Sequence, residues 1–310
     1  MGKEILVSTN IGEDEMLNEY LEYLEYERHY SKYTIDNYER DIEEFLEYLE
    51  KENINYLKLE YSDIRIYLGY LKEEKHEKST SISRKLSALR SYYKYLCNNN
   101  KIKTNLFNLI SSPKKEQKLP RYFEYNELEE LFKVPDLNTP LGQRDRLILE
   151  IMYATGIRVG ELVKIRLKDI NRNERTILIH GKGSKMRIVN YGEYASDILE
   201  MYLNDGYLKL NKFASDYLVL NNNGRTITER GVRYILTNLI KKTSLHKNIS
   251  PHMLRHSFAT HLLNEGCDIL SVKELLGHES ISSTQIYTHI TNDKLKEIYL
   301  HSFPREKLKK

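Results

Sequence analysis

A ten-residue segment near the middle of the chain constrains the fold most, because it divides the sequence into two blocks of different character. The segment SSPKKEQKLP (111–120) contains two prolines and three lysines and has no apolar periodicity, which is typical of a linker. At roughly 150 residues per domain, a chain of 310 residues has room for two domains. We therefore predict an N-terminal domain over residues 1–112, a linker over 113–120 and a C-terminal domain over 121–310.

The N-terminal block has the apolar spacing of helices. Between residues 35 and 49, apolar side chains recur at intervals of three and four, and Ser31 and Thr34 are candidate caps before them. Ser62 is a candidate cap for a second helix that ends near residue 75. A third helix is predicted over about Ser79–Asn98.

The third helix combines an apolar stripe with basic and serine-rich faces. Lysine and arginine supply positive charge, and short hydroxyl side chains allow a close approach to phosphates. An ordinary solvated helix face explains the same pattern equally well. The candidate DNA-binding residues of this helix are Arg84, Lys85, Arg90 and Lys94.

The net charge of +3 is distributed unevenly along the chain. Residues 1–60 carry −11, residues 61–112 carry +6 and residues 113–310 carry +8. An acidic start followed by two basic blocks suggests a polyanionic partner such as nucleic acid. Charge runs are also common on solvated helix faces, so charge alone leaves both interpretations open.

Several classes of protein are excluded by composition. No apolar run approaches the roughly 18–20 residues needed to span a bilayer, so no transmembrane helix is expected. The start of the chain, MGKEILVSTNIGEDE, lacks an apolar signal-peptide core. Cys97 and Cys267 lie far apart in sequence, which fits a reducing compartment and excludes a CxxC metal site. The sequence therefore predicts a cytoplasmic protein without a membrane partner.

The second block mixes helical and strand patterns. Helices are predicted at about 124–134, 141–154 and 158–166. Arg175–His180 and Lys185–Tyr191 are rich in Ile and Val and flank Gly-Lys-Gly-Ser, which predicts a β-hairpin with Lys182 at its tip. A short strand is predicted at Tyr217–Leu220. The expected fold class is mainly α with a small β-sheet in the C-terminal domain.

Reactive side chains are concentrated in two segments, SPHMLRHSFATHLL (250–263) and LLGHESISSTQIYTHI (275–290). In the first, Ser250 suits the N-cap of a helix and Pro251 suits its first position. His252 and Arg255 then lie three residues apart on one face at the helix N-terminus. Free N–H groups and the helix dipole make that end favourable for an anion.

A zinc site is the first alternative for these histidines. His252 and His256 have the spacing of HExxH, but no glutamate follows His252, and Arg255 would repel a dication. No GxxxxGK[ST] loop and no acidic two-metal cluster occur, so neither a metal nor another cofactor is predicted. A phosphodiester fits better, with tyrosine as a possible nucleophile, although composition alone cannot choose among 25 tyrosines.

Four motifs, ATGIRVGEL (154–162), HGKGSKMRIV (180–189) and the two reactive segments, resemble in order and spacing the tyrosine recombinase (phage integrase) family. Within the family, the chain is most similar to the Xer recombinases. The resemblance implies a two-domain clamp, in which a helical core-binding domain precedes a mixed α/β catalytic domain.

The resemblance also implies a catalytic set of six residues. Two arginines bind the scissile phosphate, a lysine protonates the leaving 5′-oxygen, one histidine takes the phenol proton, a second donates a hydrogen bond to the phosphate, and a tyrosine is the nucleophile. In that order they are Arg158 and Arg255, Lys182, His252, His278 and Tyr287. Glu161 resembles the glutamate that steadies the motif around Arg158.

The implied partner is double-stranded DNA with paired inverted half-sites, bound by a homo-tetramer or by a hetero-tetramer with a related recombinase. Chromosome-dimer resolution is the expected role. Integration or excision of a mobile element, a nicking-closing activity like that of type IB topoisomerases, and a catalytically silent DNA-binding protein are the alternatives. A short helix at Asp293–Leu300 is expected to dock on a neighbouring subunit, with a cap on its own domain as the alternative.

Overall fold

The computed structural model describes residues 15–113, 122–181, 186–245, 249–277 and 292–304. By its internal contacts the chain divides into two compact units, Met1–Lys118 and Leu119–Lys310. The boundary between them falls inside the segment that the sequence analysis assigned to the linker. Each unit has a hydrophobic core of its own.

Among its described residues, 15–113, all regular structure of the N-terminal unit is helical. Its elements, apart from a π-helical turn at Tyr23–Glu27 and a 3₁₀ turn at Leu106–Leu109, are α1 (residues 15–22), α2 (Lys32–Lys51), α3 (Tyr61–Glu73) and α4 (Ser79–Asn98). The bounds of α4 agree with the prediction. Its apolar stripe is fully covered, because Leu86, Leu89 and Leu96 have no exposed surface.

Two helix starts in this unit follow different capping chemistry. Ser31 caps α2 as expected, since its side chain accepts a hydrogen bond from the backbone N–H of Thr34. The expectation that Ser62 caps α3 is wrong. Glu60 occupies that position in a reciprocal capping box with Asp63, so Ser62 lies inside the helix.

In the part of the C-terminal unit that the structure describes, helices are combined with one small sheet. Its helices are α5 (Tyr125–Lys133), α6 (Pro140–Thr155), α7 (Val159–Leu162), α8 (Glu193–Met201), α9 (Tyr207–Leu210), α10 (Glu229–Ile240), α11 (Pro251–Asn264), α12 (Ile269–Leu276) and α13 (Asn292–Ser302). Helix α6 is the central element, because most of its residues are buried and it packs against α5, α8 and α11. This arrangement confirms the predicted mainly helical fold with a small sheet.

The sheet has three antiparallel strands in the order β1 (Ile170–Asn171), β2 (Thr176–His180) and β3 (Met186–Asn190). Strands β2 and β3 form the predicted hairpin, with Thr176 opposite Asn190 and His180 opposite Met186. The hairpin tip, including Lys182, lies outside the described residues. Ile177 and Val189 face the core, which fixes the register because a slip by one residue would expose both.

Helix α7 is shorter than the predicted helix at 158–166. It ends at Leu162, and the chain then pairs with a distant segment: the N–H of Leu218 bonds to the carbonyl of Ile165, and the N–H of Leu167 bonds to the carbonyl of Asp216. An isolated bridge joins Arg166 to Tyr217. The predicted strand at Tyr217–Leu220 is therefore present only as isolated bridges. Its hydrogen bonds engage the backbone groups of Ile165 and Leu167, which a longer α7 would need for its own helical hydrogen bonds.

Helix α13 packs on its own domain in this single chain, whereas docking on a neighbouring subunit was expected. Tyr299 and the adjacent Phe303 are 1% and 2% exposed and belong to the core of the C-terminal unit. The Phe303 ring contacts Tyr153 and Phe258, with centroid distances of 5.3 and 5.9 Å. The large apolar area of these two rings explains why the isolated chain buries them.

Within the described ranges, no helix is long and apolar enough to cross a membrane.

Candidate active site

Helix α11 begins as the sequence predicts. The Ser250 hydroxyl accepts a hydrogen bond from the N–H of Met253, and Pro251 occupies the first helical position. Phe258 and Leu262 lie on the buried face of the helix. Arg255 is also buried, at 8% exposure, so the helix carries a guanidinium into the interior of the domain.

Two helix ends receive the Arg255 guanidinium. One nitrogen donates to the carbonyl of Gly156 at 2.5 Å and another to the carbonyl of Leu276 at 2.8 Å. Gly156 ends α6 and Gly277 ends α12, both in the left-handed conformation that favours glycine. Because carbonyls at a helix C-terminus lack intrahelical donors and carry partial negative charge, they suit a buried cation.

Gly156 is required for space as well as for conformation. A Cβ there would lie 2.5 Å from the Phe258 ring and 2.8 Å from the Leu276 side chain. Its φ of 60° would also strain any larger residue. This glycine therefore lets α6 end against α11, where its carbonyl meets Arg255.

Arg158 stands at the start of α7, next to this buried arginine. Its side chain is 43% exposed, and one guanidinium nitrogen lies 3.4 Å from the carbonyl oxygen of Gly277. Its backbone N–H donates to Glu161 at 2.8 Å, and its Nη1 donates to the same carboxylate at 3.1 Å. The structure thus brings Arg158 and Arg255 together, although they are far apart in sequence.

Glu161 binds a second arginine that was not anticipated from the sequence. Arg187 of β3 donates through Nη1 and Nη2 to the two carboxylate oxygens of Glu161, at 2.8 and 2.9 Å. The sequence signal was the alternation in β3, since Arg187 lies two residues before the buried Val189 and therefore on the same face. A charged residue on a core-facing position needs a partner.

The electrostatics of the cluster favour an anion. Burial lowers the pKa of Arg255 to about 10, and repulsion from Arg158 adds to the effect. Burial raises the pKa of the Glu161 carboxyl, but the hydrogen bonds from Arg187 and from the Arg158 backbone outweigh it, so the net shift is downward. The guanidinium groups of Arg158 and Arg187 therefore bond one ionised carboxylate, and that of Arg255 interacts with it electrostatically. A phosphate would balance the remaining positive charge.

The other candidate catalytic residues are only partly described. His252 is exposed in the first turn of α11, three residues before Arg255. Lys182, His278 and Tyr287 lie outside the described residues. His278 directly follows Gly277, whose carbonyl contacts Arg158, and Lys182 follows β2 by two residues.

Two other histidines of α11 differ in their environment. His261 is buried, its Nδ1 lies 2.9 Å from the Tyr153 hydroxyl, and its ring stacks on Tyr125. His256 is only partly buried, beside the ring of Tyr122.

The four DNA-binding candidates on α4 differ in exposure and in hydrogen-bond partners. Lys85 is 3% exposed, and its ammonium donates to Glu44 and Glu77, so its assignment to a DNA contact is incorrect in this structure. Arg90 donates to two backbone carbonyls of the following segment, at Phe107 and Ile110. The two exposed members are Arg84, which pairs with Asp41, and Lys94.

Comparison with known proteins places these features in one family. Residues 121–294 match the phage integrase family, and residues 17–100 match the phage integrase N-terminal SAM-like domain. A tyrosine recombinase XerC of Anoxybacillus flavithermus is 50% identical over 293 residues, covering 93% of this chain and 97% of that protein. The XerC of Bacillus subtilis strain 168 is 46% identical, covering 92% of this chain and 95% of that protein.

Solved structures show the same fold. The XerH recombinase bound to its palindromic difH substrate, in a post-cleavage complex, matches with a TM-score of 0.67 at 25% identity, covering 89% of this chain and 78% of that one. A lambda integrase tetramer bound to a Holliday junction matches with a TM-score of 0.65 at 17% identity, covering 93% and 84%. The fold is that of the tyrosine recombinases.

The chain belongs to the phage integrase family. Its activity is that of a tyrosine site-specific recombinase of the Xer type, which acts on DNA.

Proposed function

We propose that this recombinase cuts and rejoins DNA through a covalent 3′-phosphotyrosine link to Tyr287, and that Arg158 and Arg255 bind the scissile phosphate. The observation that carries the proposal is a cluster with more positive than negative charge. Arg158 and Arg187 both donate to the carboxylate of Glu161, and the nearby Arg255 is held by backbone carbonyls. A site with excess positive charge, built on fixed backbone carbonyls, is suited to the negative charge that develops on a phosphate during transfer.

Three further residues complete the proposed chemistry. Lys182, on the hairpin, protonates the leaving 5′-oxygen. His252 takes the proton of the attacking phenol, and its exposure at the start of α11 supports access to a substrate. His278 donates a hydrogen bond to the phosphate, and its position directly after Gly277 supports this role. Because one phosphoester replaces another, the exchange needs no ATP.

The N-terminal domain, residues 1–112, is proposed to grip the DNA, and residues 121–310 form the catalytic domain. Helix α4 is the proposed element for the major groove, because its exposed face carries Arg84 and Lys94 with Ser87 between them. Lys85 has no part in this contact, since two carboxylates hold its ammonium inside the domain.

The proposed assembly is a tetramer on two DNA duplexes with paired inverted half-sites, formed by this chain alone or with a related recombinase. Support comes from the relatives: XerH is bound to a palindromic substrate, and lambda integrase forms a tetramer on a Holliday junction. The similarity to XerC proteins favours chromosome-dimer resolution in the cytoplasm over mobile-element integration.

The test of the nucleophile uses a nicked suicide substrate, which traps a covalent protein–DNA adduct. Tyr287→Phe should bind the site normally, because it lacks only the attacking oxygen, and should form no adduct. The matched control is Tyr234→Phe, an exposed tyrosine on α10 of the same domain, which should react like the unchanged protein. The assay contains EDTA, since the proposed chemistry requires no metal.

An adduct that persists in Tyr287→Phe would place the nucleophile elsewhere. An adduct that forms only with magnesium would contradict the metal-free chemistry. Strand exchange between two sites, rather than DNA relaxation alone, separates recombination from a nicking-closing activity.

A further inference from the structure

Arg187 occupies an unusual position for a charged residue. It lies on β3 opposite Ile179, on the strand face that also carries the buried Val189, and its side chain is only 19% exposed. Its Nε is buried without a hydrogen-bond partner among the described residues. Burying a guanidinium in this way is unfavourable unless its charge is matched, so the position requires the carboxylate that it meets.

The carboxylate of Glu161 is shared evenly between two arginines. Its Oε1 accepts from Nη1 of Arg187 at 2.8 Å and from Nη1 of Arg158 at 3.1 Å. Its Oε2 accepts from Nη2 of Arg187 at 2.9 Å and from the backbone N–H of Arg158 at 2.8 Å. The parallel pair of bonds from Arg187 fixes the plane of the carboxylate, and the carboxylate in turn fixes Arg158.

Arg187 also lies against the second group that contacts Arg158. A Cβ on Gly277 would be 2.9 Å from both Cδ and Nε of Arg187, so the arginine stem packs directly on the glycine backbone. The carbonyl of Gly277 is the one that lies 3.4 Å from Nη2 of Arg158. Arg187 therefore supports both neighbours of the Arg158 guanidinium, one through hydrogen bonds and the other through packing.

We propose that Arg187 is a positioning residue for DNA cleavage: through Glu161 and Gly277 it holds the Arg158 guanidinium in place to bind the scissile phosphate. This inference rests on the proposed role of Arg158. Without Arg187, Glu161 loses its bidentate partner and turns toward Arg158, which draws that guanidinium away from the phosphate. Arg187 itself does not touch the substrate.

The experiment measures the single-turnover cleavage rate on the nicked suicide substrate, the affinity for a half-site and the thermal transition. Arg187→Gln should cleave on the order of 10²-fold more slowly, the loss that a displacement of about 1 Å can cause, while half-site affinity is retained. Arg187→Lys should recover only part of the rate, because one ammonium cannot bond both oxygens of Glu161 as the guanidinium fork does.

The matched control is Arg172→Gln. Arg172 makes a two-nitrogen contact with Glu200, but that pair lies on the surface, and its loss should leave cleavage unchanged. Arg187→Gln should also add little to the defect of Glu161→Gln, because both changes disrupt the same support of Arg158.

A purely structural role predicts a different result. If Arg187→Gln lowers only the final amount of adduct, in proportion to the unfolded fraction, and leaves the rate constant unchanged, the positioning role is overturned. Additive effects of Arg187→Gln and Glu161→Gln would also overturn it. Rescue of Arg187→Gln by a substrate with a 5′-sulfur leaving group would overturn it as well, since that result would place its effect on leaving-group protonation.

The same data separate this inference from the proposed function. If Arg158→Lys cleaves at full rate, the role of Arg158 is wrong and the Arg187 inference falls with it. If Arg158→Lys is slow and Arg187→Gln is not, only the Arg187 inference is wrong.

Discussion

Arg158 is more exposed than Arg255, and we propose that the two arginines have different tasks within one cluster. Arg255 donates to fixed carbonyls of Gly156 and Leu276, which holds its guanidinium in the interior. Arg158 reaches the surface, where its guanidinium contacts Glu161 and the Gly277 carbonyl. Such an arrangement combines a fixed cation with one that is accessible to a phosphate.

Arg158→Lys should reduce the cleavage rate far more than it reduces DNA affinity. Losing a donor to a developing negative charge typically lowers the rate by about 10²–10³-fold, and a single ammonium cannot reproduce the guanidinium fork. Single-turnover cleavage and half-site binding measure the two effects. Arg166→Lys is the control, because Arg166 is a half-exposed arginine of the same domain that pairs with Asp216. An Arg158→Lys enzyme with the full rate would contradict the phosphate-binding role.

His261 should make the stability of the protein depend on pH. Burial lowers its pKa below the usual value of about 6.5, while the Phe123 backbone and the nearby Glu124 and Glu265 act in the opposite direction. The unfolded chain therefore takes up a proton near pH 6.5 that the folded protein excludes, so the free energy of unfolding falls as the pH drops below that value.

His261→Gln should lose less stability between a pH of about 8 and a pH of about 5.5 than the unchanged protein loses. At the higher pH it should be about 1–3 kcal/mol less stable, because the buried hydrogen bond between His261 and the Tyr153 hydroxyl is lost. Urea unfolding of the full chain at both pH values measures the difference. His301→Gln, an exposed change on α13, should keep the original pH dependence. An unchanged dependence in His261→Gln would show that His261 is not responsible.

At the scale of elements, the sequence correctly predicted the helices whose bounds depend on their own apolar and polar pattern. Helix α4 agrees with its prediction because its apolar stripe and its polar flanks are continuous in sequence. Helix α7 does not, because residues 165–167 pair with the distant segment 216–218, and no local pattern encodes that pairing. Lys85 was misassigned for a similar reason, since the carboxylate of Glu44 that binds it comes from another helix.

The candidate site was predictable only in part. The helical pattern predicted that Arg255 lies at the start of α11. Only the family resemblance, and not the spacing, predicted that it lies near Arg158. Arg187 was missed because a single charge on a five-residue strand looks like an exposed position. Its contact with Glu161 becomes visible only when β3 and α7 are seen side by side.

The β2–β3 hairpin should deliver the general acid. Lys182→Ala should slow cleavage of ordinary DNA by about 10²–10⁴-fold, the usual contribution of such catalysis. A substrate whose leaving 5′-oxygen is replaced by sulfur should restore the rate, because a thiolate leaves without protonation. Arg158→Lys serves as the control, since its defect lies at the phosphate and should persist on the sulfur substrate. No rescue of Lys182→Ala would remove Lys182 from the general-acid role.

At the scale of the whole molecule, the packing of helix α13 differs from what the family resemblance implies. The family resemblance implies that this helix docks on a neighbouring subunit, yet in the single chain Tyr299 and Phe303 fill the core of their own domain. The same apolar side chains can pack either on their own domain or on a neighbouring subunit. Identical subunits offer identical pockets, so an exchanged helix regains the contacts that it leaves, which makes exchange between protomers inexpensive in free energy.

We expect α13 to pass to a neighbouring subunit when the protomers assemble on DNA. A cleavable bis-maleimide between cysteines replacing Lys296 and Glu174, which form an ion pair at 2.8 Å, would lock the helix on its own domain, with Cys97 and Cys267 changed to serine. The locked protein should bind one half-site normally, because that step needs one protomer. It should bind the second half-site less cooperatively and recombine poorly. Cleavage of the crosslink should restore cooperative binding and recombination.

The same protein treated with a mono-maleimide is the control. If the locked protein fills both half-sites as cooperatively as the control and recombines normally, α13 is a cap of its own domain and does not connect the subunits.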